Sequence, residues 1–171
     1  MPRIALSEGL RAGMVLGAFV IVVGVLGLAP AFSWLPEAPL VTVAIAVPII
    51  WLTVTGFRGA RAGGPMAGVL AAALAGAIGG VVGGLAFLGL DQIFITTVSR
   101  QPDKVINFPT SGYATMQDYL LAHDVPNVAV GLVLGTLGGA LLGLVGAGLA
   151  QILPARQFRG RKPDGAPAPR P

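Results

Sequence analysis

Few side chains in this sequence are equipped for chemistry, and their spacing limits what each can do. The single histidine, His123, has Asp118 and Asp124 near it in the chain. A metal centre needs three or four ligands converging on one point, whereas neighbouring residues on a helix point in different directions. The trio therefore reads as a solvated face, not as a metal or acid–base site. Asp91, followed by Gln92, is a lone carboxylate at the end of an apolar run and reads as a topology marker. Cysteine is absent, which removes disulfides, thiolate catalysis, iron–sulfur clusters and cysteine zinc sites together. The glycine-rich stretches fit neither a P-loop, which needs G-x-x-x-x-G-K-[ST], nor a dinucleotide turn, which needs a strand before and a helix after it. No nucleophile with its base and no paired carboxylates stand out. The expectation is a protein that is not an enzyme, with no metal and no cofactor.

The elements carrying these residues are set by composition. Of 171 residues, 54% are apolar and 11% charged, and the mean hydropathy is +0.82. A soluble domain is about a quarter charged. So few charges cannot coat a water-facing surface, and the excess apolar area must meet lipid. Four apolar stretches reach the length needed to cross about 30 Å of hydrocarbon at 1.5 Å per residue. They cover residues 12–32, 39–57, 65–90 and 128–153, and no Lys, Arg, Asp or Glu lies inside them. The fold expected is all-α: a polytopic membrane protein in which residues 1–153 form a four-helix bundle.

Charge placement predicts the topology, because Lys and Arg beside membrane spans stay on the cytoplasmic side. Arg3 and Arg11 precede the first span, Arg58 and Arg61 separate the second and third, and Arg156, Arg159, Arg161, Lys162 and Arg170 follow the fourth. The opposite side carries Arg100 and Lys104 with Glu37, Asp91, Asp103, Asp118 and Asp124. A multi-pass protein of the cell membrane with both termini cytoplasmic is expected. Ala29-Pro30-Ala31 after the first apolar run also resembles a signal-peptidase site, and cleavage there would leave three spans.

The most specific pattern is small residues at four-residue spacing. Gly9, Gly13 and Gly17 mark the first span; Gly68, Gly76, Gly80 and Gly84 the third; Gly131, Gly135, Gly139 and Gly143 the fourth. Lipid tails are as apolar as leucine, so membrane helices associate through close contact, which rows of glycine permit. A glycine zipper joining spans one, three and four into a tight centre is expected, with a right-handed crossing near −40°. The second span is β-branched, lacks glycine before Gly56 and contains Pro48. It is expected at the lipid-facing edge, kinked at Pro48, where the Ala44 carbonyl loses its helical donor.

Residues 91–127 are too long for a passive connector. The sequence predicts a loop through Val105–Pro109 and a short helix over Ala114–His123, with Thr115 and Asp118 in capping-box spacing. Residues 154–171 join basic side chains to five prolines and read as a disordered tail. Arg156, Arg159, Arg161 and Lys162 would there attract anionic lipid headgroups by about 1 kcal/mol each. Without interleaved aromatics, nucleic acid is not an expected partner. The four-span, glycine-rich look is common to many small bacterial membrane proteins and carries no family motif. The leading expectation is a non-catalytic accessory, scaffold or partner-binding bundle, with a homo-oligomer or another membrane subunit as its companion. The alternative is an oligomeric small-solute channel or a transporter component. Coupled carriers keep an ionisable group in the membrane, and the polar groups at mid-depth here are threonines.

Overall fold

A computed structural model describes residues 2–32 and 36–153, all in helices, short turns and connections. In chain order the helices are α1 (Pro2–Leu28), α2 (Glu37–Gly63), α3 (Pro65–Ile93), α4 (Ile95–Val98), α5 (Pro102–Asn107) and α6 (Met116–Ile152), with 3₁₀ turns at Pro30–Phe32 and Phe108–Thr110. Helices α1, α2, α3 and α6 are long and apolar enough to cross a membrane. At 1.5 Å per residue they measure roughly 40 to 55 Å, so each outlasts the hydrocarbon layer. The basic tail, with Arg156, Arg159, Arg161 and Lys162, lies outside the described residues.

Helix ends fall where backbone chemistry dictates. The first helix stops at Leu28, short of the expected Phe32, because Pro30 lacks an N–H and disfavours helical geometry at the residue before it. Helix α2 continues past Phe57 to Gly63, so Arg58 and Arg61 sit on a helix and not in a turn. The connection to α3 is a single residue, Gly64, at φ +90°, a region open to glycine at little cost. Pro65 then occupies the first turn of α3, where its missing N–H is harmless.

Helix α3 is the hub. It packs most extensively on α6 and next on α1, whereas α1 and α6 scarcely meet. The expected three-way centre is thus corrected to two seams on neighbouring faces of α3. The expectation for α2 is corrected too. Its first half is bare, with Val41, Val43 and Ile45 exposed, but its second half enters the bundle, where Leu52 and Thr55 are buried. There Gly56 abuts the Gly143 backbone of α6 and Gly59 abuts Gly68 of α3. Trp51 Nε1 donates to the Ala12 carbonyl of α1 at 3.0 Å. The hydroxyls of Thr42, Thr53, Thr55 and Thr136 donate to carbonyls one turn back at 2.6 to 2.8 Å, so each is satisfied within its own helix.

Ala5 clusters with Ala67 and Ala71, and a guanidinium nitrogen of Arg61 donates to the Leu153 carbonyl. The start of α1, the α2–α3 turn and the end of α6 therefore share one end of the bundle, termed the inner end. The outer end is closed by a small folded cap. Val98, Tyr119 and Leu120 form its core, flanked by Leu28, Phe94, Phe108 and Met116. Tyr119 makes edge-on contacts with Phe108 and Tyr113 at centroid separations of 5.8 and 6.0 Å. Two expectations change here. Val105–Pro109 is helical, split between α5 and a 3₁₀ turn. The short helix is the first part of α6, which runs unbroken through Pro126 into the fourth span. Its start is capped by Thr115: Asp118 N–H donates to Thr115 Oγ1 at 3.1 Å, and that hydroxyl donates to Asp118 Oδ2 at 2.7 Å.

Candidate functional site

The glycines occupy two chemically different seams. Between α3 and α6 backbone meets backbone. Gly76 lies against Gly135, Gly80 against Gly131, Gly84 against Val128, and Gly139 against the Ala72 carbonyl. Gly143 touches Val69 and Ala72 of α3 on one side and Gly56 of α2 on the other. A Cβ placed on Gly84 would lie 2.7 Å from Val128 Cα, nearer than such atoms approach. Between α1 and α3, by contrast, glycines receive side chains. Gly9 takes Leu74, Gly13 takes Ile78 and Gly17 takes Val82, while Gly79 and Gly83 of α3 take Leu16 and Val20 of α1. Gly68 faces the Gly56 carbonyl and Ala60 of α2. Pro48 lies within α2, in its exposed half.

Because α1 and α6 flank α3 without closing on each other, a groove of about 360 Å³ remains on the outer half of the α3 surface. Its floor is Gly79, Gly80, Gly83 and Gly84, and its head is Asp91, Asp124 and Asn127. Along α3 the distance from Gly79 to Asp91 is roughly 18 Å at 1.5 Å per residue. Asp91 and Asp124 reach this head from two different helices, α3 and α6, with Lys104 the cation acting on Asp91. Asp124 is only 6% exposed, and its Oδ2 has no hydrogen-bond partner among the described residues. Gln92 Nε2, close by in sequence, is likewise buried without an acceptor. Lys104 is 8% exposed; its ammonium lies 3.6 Å from Asp103 and 5.9 Å from the Tyr119 ring centre.

The trio suggested by sequence is thus divided. Asp118 is spent on the cap of α6. His123 is exposed and stacks on Tyr119 at 17° between ring planes. Asp124 is buried at the groove head that Asp91 also lines, which corrects the solvated-face reading of Asp124. The glycine lines show how the helix register, once set by the fold, brings the two to one level. If Gly80 lies opposite Gly131 and Gly84 opposite Val128, two further turns outward bring Asp91 to the level of Leu120–Asp124. Among the described residues no cluster of three or more His, Asp or Glu is arranged to hold a metal ion. A smaller cleft of about 200 Å³ at the inner end is lined by Arg11, Trp51, Thr55 and Arg58. Comparison with family models, curated proteins and solved structures gives no match to this chain.

Proposed function

We propose that this protein is a non-catalytic, multi-pass component of the cell membrane, an accessory or partner-binding bundle with both termini cytoplasmic. The supporting observation is the asymmetry of α6. One side of this helix is stitched to α3 and α2 through glycine. The other presents an unbroken apolar band in which Leu134 and Leu141 are 64% and 65% exposed. Glycine packing holds the scaffold on the inside without using that face, which leaves it for lipid, a second copy or another membrane subunit. The basic inner end, with Arg11 and Arg58 at the cleft and Arg156, Arg159, Arg161 and Lys162 beyond, suits anionic headgroups of the cytoplasmic leaflet.

Purification in a mild detergent followed by mass measurement tests this reading. A homo-oligomer, or a complex with another membrane chain, that separates when Leu137 and Leu141 are both replaced by Trp is the expected result. A lone protein unaffected by those substitutions overturns it. A second reading, a solute channel or transporter component, draws on the groove that ends in Asp91 and Asp124, since ionisable groups at membrane depth mark solute and ion paths. Flux through protein-containing liposomes that is abolished by Asp124→Asn would select it over the first.

A further inference from the structure

The groove on α3 has the form of a binding site for one chemical class. Its long part is apolar and narrow-floored, with Val20 and Phe87 as walls and glycine backbone beneath. Its outer end gathers three oxygen-bearing side chains, Asp91, Asp124 and Asn127. Two carboxylates in one site repel unless a cation or a shared proton lies between them. The nearest positive group, Lys104, already contacts Asp103 at 3.6 Å and leans over Tyr119. The pair is left with more negative than positive charge, in surroundings where an unpaired buried charge is costly. Asp124, only 6% exposed, lines the groove, and its enclosed Oδ2 has no hydrogen-bond partner among the described residues.

We infer that this groove binds an amphiphile bearing a primary ammonium, its nitrogen held by Asp91, Asp124 and Asn127 and its alkyl chain laid along Gly80, Gly84 and Phe87. An ammonium has three N–H donors and no acceptor, which suits a groove head lined by three side chains that carry oxygen acceptors. Charge-assisted hydrogen bonds of this kind are roughly twice as strong as neutral ones. A methylated nitrogen carries the same charge without the donors, and an alcohol carries neither the charge nor three donors. The alkyl chain reaches the groove from the outer leaflet through the gap between α1 and α6. The same ammonium chemistry is offered by a free long-chain amine and by an ethanolamine phospholipid. The inference concerns the side of the bundle away from the exposed band of α6 and stands apart from any role of that band.

The test uses the full chain in nanodiscs of phosphatidylcholine and a tetradecylamine carrying a photoreactive diazirine in its tail. After irradiation, peptide mass analysis should place the label on the segments holding Val20 and Phe87. Unlabelled tetradecylamine should suppress labelling at concentrations at least tenfold lower than tetradecyltrimethylammonium, and tetradecanol should compete more weakly still. Asp124→Asn and Asp91→Asn should each lower labelling by about tenfold, with helicity by circular dichroism unchanged. Phosphatidylethanolamine doped into the nanodisc separates the two sources: competition assigns the site to the aminolipid, and its absence alongside competition by tetradecylamine assigns it to a free amine. The inference fails if tetradecanol or the quaternary amine competes as well as the primary amine. That comparison uses the unaltered protein and stands even where a carboxylate variant misfolds. It fails equally if both folded Asn variants label like the parent.

Discussion

Gly135 and Gly138 offer a matched pair of substitutions on one helix with opposite expected signs. A Cβ on Gly135 would sit 2.9 Å from the Gly76 carbonyl carbon, and nearer still to its oxygen. Carbon atoms pack best at about 3.5 to 4.0 Å, so α6 would have to retreat from α3 by roughly 0.6 to 1 Å. The neighbouring contacts, Gly80 with Gly131 and Gly139 with Ala72, would open with it. A gap of about 0.5 to 1 Å forfeits a quarter to a half of each pairwise attraction, and adding a methyl to a filled contact costs about 1 to 3 kcal/mol. The same methyl on Gly138 meets nothing within 4 Å. There it only restricts the unfolded backbone and favours the helix, by about 0.4 to 1 kcal/mol. Gly135→Ala should therefore be less stable than the parent and Gly138→Ala equal or more stable, with roughly 1.5 to 4 kcal/mol between them. Reversible unfolding in mixed micelles of a mild detergent and sodium dodecyl sulfate, followed by far-ultraviolet circular dichroism, measures the difference. Equal midpoints for the two variants, or a larger loss at Gly138, would refute the claim that backbone contact holds α6 to α3.

Further expectations follow from the same geometry. Gly139→Leu should destabilise the fold or its assembly in detergent, whereas Val133→Leu, at a position 53% exposed, should change neither measurably; equal thermal midpoints would count against this. Thr115→Ala removes the side-chain cap of α6 and should cost about 1 kcal/mol, seen as faster hydrogen exchange at the amides of Met116–Asp118 with little change in the membrane-buried core. Because the sequence has no cysteine, single substitutions report topology cleanly. Thr110→Cys should react with a membrane-impermeant maleimide in intact cells and Ser7→Cys only after permeabilisation, and the reverse pattern would invert the proposed orientation.

The sequence by itself determined the four long apolar helices, because hydrocarbon thickness fixes how many consecutive uncharged residues a crossing requires. It also determined the Thr115–Asp118 cap, a local device spanning one helical turn. Strictly local rules failed where long-range packing outweighed them. The sequence predicts a helix over Ala114–His123 separate from the fourth span, yet α6 runs through Pro126 and joins the two, since Tyr119 and Leu120 are anchored in the cap and the glycines beyond are anchored on α3. The place of α2 and the division of the small-residue lines into a backbone seam and a side-chain seam depend on which helices become neighbours, and the period of the pattern is identical in every arrangement. The meeting of Asp91 and Asp124 was likewise decided only in three dimensions. Each is an isolated carboxylate in the chain, and only the antiparallel register of α3 and α6 brings the two together at the head of a groove that α1 and α6 leave open.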